Sequence, residues 1–280
     1  MRVAPALSQT RLGRLTRSVG KFAVYYLRNP RQVVLPQKDV VVESSFGARF
    51  VCSHENYIER MLMQDGHFEP ESTAATMRAV APGAVTIDVG ANVGFYSLLL
   101  AKCVGPQGAV HAFEPTRWAY ERCLRNLALN RSLAESVVLN HAGLLAEERA
   151  GYEAIESRFS ARILARQKRE QLRFLTLDRY CAERGITRID FMKVDVDGYD
   201  YQVIAGARNI LRQSNATLLC ELHAPSLIAH GSSVAEYIAL LSDLGYSRSE
   251  VFDGPLRGTF KLAELLSHGP ELSLNLLLTR

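Results

Sequence analysis

The sequence has few cysteines, and their spacing does not suit a metal site or a disulfide framework. The chain of 280 residues contains five cysteines, an odd number, and no Cys-x-x-Cys pair. This pattern excludes a disulfide-stapled scaffold and a cysteine zinc site, and it is typical of a reducing compartment. We therefore expect a cytoplasmic protein in which the cysteines are small buried side chains.

Long apolar runs are also missing. The uninterrupted apolar stretches, such as Phe22 to Leu27, are far shorter than the roughly 20 residues that span a bilayer. The sequence therefore predicts no transmembrane helix. Its hydrophobic content of 48% and charged content of 22% are ordinary for a folded globular protein, which excludes collagen-like, low-complexity and disordered classes.

Acidic residues are absent from residues 1–38, which hold eight of the 33 basic side chains. Residues 39–280 therefore carry 25 basic and 29 acidic side chains, and this mildly acidic charge argues against a nucleic-acid groove on the main body. Apolar residues at spacings of three and four predict a basic amphipathic helix over residues 8–28. Three roles stay open for it: docking onto its own domain or a partner subunit, peripheral contact with a membrane, and organelle targeting.

Strand-like and helical segments alternate regularly after residue 80. Apolar strands that alternate with helices predict an α/β fold, a doubly wound and mostly parallel sheet of seven strands covered on both faces. We divide the chain into a basic arm (1–32), a small strand and helix extension (33–80) and the α/β domain (81–280). One continuous helix is predicted over 199–211, a hairpin or long loop over the basic stretch 158–173, and Asp178 as the N-cap of a helix over 179–184.

A glycine-containing loop follows the first strand of the α/β domain. The loop and the start of the next helix include Gly90, Ala91, Asn92, Gly94 and Phe95. Glycines here allow a tight turn and a close approach at the helix start. The loop is neither a Gly-x-Gly-x-x-Gly dinucleotide motif nor a P-loop, so it lacks a phosphate-binding signature.

Two carboxylates make this loop more specific. Asp88 precedes Gly90 by two residues, and Glu114 ends the second strand, immediately before Pro115. A carboxylate at Asp88 would repel a pyrophosphate and attract a cationic amino-acid group, and Glu114 can accept both hydroxyls of a ribose. A cofactor with a ribose, an amino group and no phosphate is S-adenosylmethionine, which we predict as the ligand.

Longer segments of the chain resemble the FkbM family of S-adenosylmethionine-dependent methyltransferases. The matching motifs lie between about residues 57 and 225 and comprise Gly66-His-Phe68-Glu69, Pro82-Gly83, Asp88 to Gly94, Phe113-Glu114-Pro115, Leu124 to Asn130, Leu175 to Tyr180, Ile189 to Gly198, Gly206 to Arg208, and Glu221. The resemblance implies a Rossmann-like class I methyltransferase fold in the α/β domain and methyl transfer to a hydroxyl group. One departure is Asp197, where the family more often has glutamate.

Candidate catalytic residues follow the fourth and fifth predicted strands, because ligands bind at the carboxyl ends of an open α/β sheet. His223 is a candidate base for the departing hydroxyl proton, and Asp195 or Glu221 can orient it or act as the base instead. Asp195 is also a candidate for binding the amino group of the cofactor, and Asn140 for contacting the adenine. A divalent ion held by Asp195, Asp197 and Glu221 stays open, but we predict no metal.

The predicted function is O-methylation of a sugar, a glycan or another secondary metabolite. The predicted partner is this small-molecule or glycan acceptor, with no nucleic acid. A nucleic-acid methyltransferase and a non-catalytic scaffold that only binds the cofactor remain alternatives. A nicotinamide dehydrogenase is disfavoured because the loop lacks the phosphate-binding spacing. Steeply salt-dependent binding would indicate a nucleic acid, and binding without turnover would indicate a scaffold.

Overall fold

The computed structural model describes residues 39–153, 170–252, 256–268 and 273–280. Contacts within the chain separate two units, Met1–Lys38 and Asp39–Arg280. All described elements belong to the second unit. Three predicted features lie wholly or partly outside the described residues: the helix at 8–28, residues 33–38 of the strand and helix extension, and most of the basic stretch at 158–173.

The described strands are β1 (Val40–Glu43), β2 (Arg49–Cys52), β3 (Val85–Val89), β4 (Ala109–Phe113), β5 (Val137–Asn140), β6 (Gly143–Leu144), β7 (Arg149–Glu153), β8 (Glu170–Leu175), β9 (Phe191–Val194), β10 (Thr217–His223), β11 (Arg248–Val251), β12 (Gly258–Lys261) and β13 (Ser273–Thr279). The described α-helices are α1 (Tyr57–Asp65), α2 (Pro70–Ala79), α3 (Phe95–Val104), α4 (Arg117–Leu129), α5 (Arg131–Ala134), α6 (Leu177–Arg184), α7 (Asp200–Ala205), α8 (Arg208–Gln213), α9 (Ala224–Ala229) and α10 (Val234–Asp243). In the described ranges, none of the helices has the length and apolarity needed to cross a membrane.

The main sheet has the strand order β12-β11-β13-β10-β9-β3-β4-β5 among the described residues. The five strands from β10 to β5 in that order run parallel, and β13, which pairs with β10, is antiparallel to it. The chain moves outwards from β3 to β5 and returns to continue from β9, so the strand order reverses between β3 and β9. Ligands bind at such a reversal in doubly wound sheets, and the predicted Rossmann-like α/β fold is confirmed.

The sheet has one strand more than predicted. β12 pairs with β11 in antiparallel register, from Arg248 with Lys261 to Val251 with Gly258. Its sequence, Gly-Thr-Phe-Lys, is short and lacks the apolar pattern of a buried strand. Backbone pairing places it at the edge of the sheet, and Phe260 packs against the main core. Separately, β6, β8 and β7 form a small three-stranded sheet.

The hairpin β1–β2 covers helix α3, which is apolar on nearly all sides. Phe95, Leu98 and Leu99 in α3 are at most 1% exposed. The ring of Phe95 lies 5.8 Å from that of Phe50 in β2 and 5.3 Å from that of Phe46 between the two strands. Because α3 is covered by the sheet on one side and by the hairpin on the other, residues 39–80 share one hydrophobic core with the α/β domain.

The helix predicted over 199–211 is broken into α7 and α8, and Asp178 has a different role from the predicted one. A Cβ atom on Gly206 would lie 2.0 Å from the carbonyl oxygen of Leu145, so the backbone passes too close for any side chain there. Asp178 accepts the N–H groups of Asn209 and Ile210 at the start of α8, at 3.0 and 2.8 Å. The helix that contains Asp178 begins at Leu177 instead, and its N-cap is Thr176.

Replacing Asp178 tests this contact between helices. Asp178→Ala removes the acceptor for two N–H groups and is expected to lower the free energy of unfolding by about 1 kcal/mol. Urea denaturation measures the change. Asp178→Asn keeps one acceptor oxygen and should lie between the parent and the alanine variant, and equal stability of the parent and Asp178→Ala would contradict the assignment.

Candidate functional site

A cavity of about 180 Å³ lies at the carboxyl edge of the sheet, where the strand order reverses. Each central strand contributes to its wall: Gly90 follows β3, Glu114 follows β4, Asp195 follows β9, and Glu221 lies in β10. The segment before β3 contributes Asn56, Tyr57, Ile58, Phe68 and Glu69. Aromatic and polar groups therefore converge on the edge where an α/β fold binds its ligand.

The glycine loop runs from β3 to the start of α3 and packs closely against the ends of the neighbouring strands. Gly90 has a φ of 82°, and a Cβ atom on it would lie 2.1 Å from the carbonyl oxygen of Asp195. The N–H groups of Gly90 and Ala91 both donate to the carbonyl oxygen of Phe113, at 3.0 Å. The loop is thus held between the ends of β4 and β9, and only glycine fits at position 90.

Glu114 contacts the loop as well as the cavity. Its Oε2 accepts the N–H of Asn92 at 2.9 Å, and its Oε1 accepts the N–H and the hydroxyl of Thr116 at 2.9 and 2.5 Å. The side chain is 6% exposed, and this burial raises its pKa despite the hydrogen bonds from Thr116 and Asn92. The carboxylate that was predicted to bind a ribose therefore also holds Asn92 in place.

Asp88 lies beneath the cavity instead of in its wall. It is fully buried, and its Oδ2 accepts the hydroxyl proton of Ser97 at 2.6 Å. Oδ1 has no hydrogen-bond partner among the described residues. Burial raises the pKa of Asp88, and the charge of Lys193, which lies opposite it in the register of β3 and β9, lowers it in part.

Lys193 is a buried cation among carboxylates. Its side chain is 5% exposed, and Nζ lies 3.0 Å from Oδ2 of Asp195 and 4.9 Å from the centre of the Tyr96 ring. Burial opposes the charge, but the attraction of Asp195, Asp88 and Glu69 outweighs it, so the pKa of Lys193 is raised. Tyr96 in turn donates its hydroxyl proton to Oε2 of Glu69 at 2.7 Å.

The chain turns sharply after β9. Asp197 and Gly198 have φ angles of 53° and 104°, and Oδ2 of Asp200 accepts the N–H of Gly198 at 3.1 Å. Asp200 is 3% exposed. Burial, followed by the negative charge of Asp195, raises its pKa from the usual 3.8 to about 7.

The structure places eight of the predicted site residues in the cavity wall: Gly90, Ala91, Asn92, Phe95, Glu114, Pro115, Asp195 and Glu221. Four others lie outside that wall. Asp88 is below it, and Gly94 faces α4, where an added Cβ atom would lie 2.6 Å from the sulfur of Cys123. The amide of Asn140 donates to the carbonyl of Ala112 and to the hydroxyl of Tyr180. Nδ1 of His223 accepts the N–H of Ser226, which makes His223 the N-cap of α9.

Sequence reasoning missed several residues of the wall, among them Asn56, Glu69, Tyr96 and Lys193. Glu69 lies in a motif of the family resemblance and Lys193 in another, but the sequence predicts no cofactor-binding or catalytic role for either. The backbone marks the site more clearly. Within the described ranges, the non-glycine residues with positive φ are Glu69, Asn92 and Asp197, and all three line this cavity. Strained backbone angles of this kind cluster at functional sites.

The donors at this edge do not form a metal site. No group of three or more His, Cys, Asp or Glu side chains in the described part of the chain has the geometry to hold a metal ion. Asp195 instead pairs with Lys193.

The cavity fits S-adenosylmethionine on three observations. At the reversal of strand order, the loop has no side chain at Gly90, where its backbone closely approaches that of Asp195. Glu114 presents a buried carboxylate at the end of β4, where a ribose would bind. The carboxylates in the cavity wall, Glu69, Asp195 and Glu221, supply negative charge for a ligand with cationic groups. Glu114 and residues 90–92 would hold the nucleoside of the cofactor.

The fold and the site define a Rossmann-like methyltransferase that uses S-adenosylmethionine. The family model described as "Methyltransferase FkbM domain" matches residues 88–248, more than half of the chain. The chain therefore belongs to the FkbM methyltransferase family, and the predicted family is confirmed.

The individual relatives have low sequence identity to this chain. The methyltransferase sdnD of Sordaria araneosa is 27% identical over 193 residues, which cover 57% of this chain and 72% of that protein. The AMB antimetabolite synthetase AmbE of Pseudomonas aeruginosa is 26% identical over 266 residues, which cover 81% of this chain but 12% of the synthetase. Among solved structures, a S-adenosylmethionine-dependent O-methyltransferase of Thermotoga maritima aligns with a TM-score of 0.46 and 17% identity, covering 88% of this chain and 78% of that chain.

Substitution of Gly90 tests the close approach of the loop to β9. Gly90→Ala is expected to abolish binding of S-adenosylhomocysteine, measured by calorimetry, because the added carbon would displace Asp195. Gly83→Ala is the matched control. Gly83 also has a positive φ, of 78°, but no atom lies within 4 Å of an added Cβ, so that variant should lose only about 1–2 kcal/mol of stability and bind normally. Normal binding by Gly90→Ala would contradict this account.

The buried carboxyl of Asp200 predicts a pH dependence of stability. Because its pKa in the folded state is raised to about 7 from the usual 3.8, the folded protein binds the proton more tightly than the unfolded chain. This group therefore stabilises the fold least above about pH 7 and increasingly as the pH falls towards 4. Asp200→Asn keeps an acceptor for Gly198 and should exceed the parent in stability by more at about pH 8 than at about pH 5.

Chemical denaturation at the two pH values measures this difference. Asp243→Asn, at an acidic side chain that is 58% exposed, controls for the loss of one negative charge from the surface. A constant difference between Asp200→Asn and the parent at both pH values would show that Asp200 does not titrate in this range.

Proposed function

We propose that this methyltransferase transfers the methyl group of S-adenosylmethionine to a hydroxyl group of a small metabolite, such as a sugar or a glycan unit. The observation that carries the proposal is the pair of carboxylates beside the glycine loop. Cys220 pairs with Val194 in the parallel register of β10 and β9, so the residues that follow them, Glu221 and Asp195, are neighbours across the two strands. Both line the cavity.

Transfer to a hydroxyl needs a group that takes up the departing proton and groups that hold the oxygen in place. S-adenosylmethionine supplies the electrophilic methyl group when it is bound. Asp195 is our candidate for accepting the proton: its side chain is 32% exposed, and the hydrogen bond from Lys193 to Oδ2 fixes its orientation. Glu221, on the neighbouring strand, is our candidate for orienting the hydroxyl.

His223, the other candidate base, receives a different role. Its Nδ1 accepts the N–H of Ser226 at 3.1 Å, and it lies outside the cavity wall. A ring nitrogen that caps a helix is not available for a proton from an acceptor. We therefore assign His223 to the junction between β10 and α9.

The cavity wall and one relative support a small acceptor. The cavity is enclosed by aromatic side chains that include Phe68, Tyr96, Trp118, Phe174 and Tyr199, which suits a small ligand better than a duplex. The partial match to an antimetabolite synthetase supports an acceptor from secondary metabolism. A scaffold without turnover is the competing function, and the same assay distinguishes it.

Label transfer from S-adenosylmethionine tests the proposal. We expect transfer to the oxygen of a neutral hydroxylated acceptor in a panel that also contains amines, RNA, DNA and protein. Asp195→Asn should lower kcat by about 100-fold or more, since an acid–base group contributes about 10²–10⁴-fold. The affinity for S-adenosylhomocysteine should change much less.

Asp190→Asn is the matched control. Asp190 precedes β9, at the opposite end of that strand from the cavity, and its Oδ2 accepts the N–H of Val85. The asparagine retains an acceptor there, so this variant should keep full activity. Transfer to nitrogen or to a nucleic acid, or unchanged turnover in Asp195→Asn, would refute the proposal, and binding without transfer to any acceptor would favour the scaffold.

A further inference from the structure

Asn92 in the glycine loop adopts a backbone conformation that needs support. Its φ is 48°, in the left-handed region that L-residues rarely occupy. Its N–H donates to Oε2 of Glu114 at 2.9 Å, and the residue lines the cavity. A free loop would relax this strain by rotating its peptide groups, so the contacts of Asn92 determine whether the loop keeps its shape.

Asn56, from the segment before β3, contacts the side chain of Asn92. Its Nδ2 donates to Oδ1 of Asn92 at 3.1 Å. Its other amide atom, Oδ1, accepts the N–H of Glu59 at 3.2 Å and so caps the start of α1. Asn56 is 3% exposed and also lines the cavity. One buried amide therefore caps a helix with its oxygen and holds the glycine loop with its nitrogen.

A buried ion pair fixes the segment that carries Asn56. Glu59 is fully buried, and its Oε2 accepts the N–H and the hydroxyl of Ser53, both at 2.7 Å. Its Oε1 lies 2.9 Å from Nε of Arg122 in α4, whose guanidinium also binds Asp39. Breaking a pair of this kind is costly because it leaves a buried charge, so residues 53–59 cannot easily move away from α4.

The same helix also holds the far side of the loop. Nδ2 of Asn126 in α4 donates to the carbonyl of Val93 at 2.8 Å, and Oδ1 of Asn126 accepts the N–H of Val51 at 2.8 Å. Helix α4 is thus a common support for the glycine loop and for the segment around Asn56. The distance between Asn56 and Asn92 is set by two rigid attachments to one helix.

We propose that Asn56 is a cofactor-positioning residue: it acts through Asn92 and holds the glycine loop in the shape that binds S-adenosylmethionine. Residues 53–59 then belong to the cofactor site, although they lie more than 30 positions before the loop in the sequence. This inference depends on the cofactor of the family and is independent of which acceptor is methylated.

The oxygen and the nitrogen of Asn56 can be tested separately. Asn56→Asp keeps an oxygen to cap α1, because aspartate is a good N-cap residue, but it loses the donor to Asn92. It should weaken binding of S-adenosylhomocysteine about 5- to 10-fold, the value of one lost hydrogen bond, with a melting temperature close to that of the parent. Asn56→Ala should show the same loss of affinity together with a lower melting temperature.

Ser233→Ala is the matched control for capping alone. Ser233 caps α10 by accepting the N–H of Glu236, and it is not part of the cavity wall. This variant should lower the melting temperature and leave the affinity for S-adenosylhomocysteine unchanged. A parallel loss of affinity in Ser233→Ala would show that stability alone governs binding, and would overturn the proposal.

Asn92→Ala tests whether the effect passes through Asn92 or arises from the new charge of the aspartate. In a double-mutant cycle on binding of S-adenosylhomocysteine, Asn56→Asp should add less than about twofold when Asn92 is already alanine. Hydrogen exchange provides a second readout: Asn56→Asp should speed exchange at residues 90–93 in the protein without ligand. Independent, multiplying effects, or parent-like affinity and exchange in Asn56→Asp, would refute the role.

Discussion

A buried cluster of charges at the centre of the sheet edge supports the rest of the site. Lys193 in β9 lies opposite Asp88 in β3 and pairs with Asp195 at the end of its own strand. The buried ammonium offsets two carboxylates at the reversal of strand order, where the backbones of Gly90 and Asp195 nearly touch. Because removing one partner would leave a buried charge uncompensated, the cluster joins the two halves of the fold where the cofactor binds.

Strain around the cavity is offset by contacts from different parts of the chain. Asn92 is hydrogen-bonded to Glu114 and to Asn56. The N–H of Gly198, which follows Asp197, donates to Asp200. Glu69 accepts the hydroxyl proton of Tyr96. Each strained turn thus has a polar partner close to it in space. The cavity wall is pre-formed in this arrangement, and a ligand that binds there has to order less of the protein.

Features that depend on local spacing could be predicted from the sequence. The strand, the glycine turn and the acid at Glu114 lie within 30 residues, and apolar strands alternating with helices indicated the parallel sheet. Contacts between distant elements could not be predicted in this way. Asp178 caps α8 instead of its own helix, and β12 joins the edge of the sheet by pairing with β11 although its sequence lacks the apolar pattern of a buried strand.

The sequence alone therefore determined the fold class, because strands and helices alternate along the chain, and the family and the cofactor, because short motifs carry the residues that act on the ligand. Only the tertiary structure decided that His223 caps a helix, that Asn140 lies outside the cavity, and that Asn56, Glu69 and Lys193 belong to the site. The physical reason is that burial, left-handed backbone angles and contacts across the sheet arise from packing between segments that are far apart in the chain.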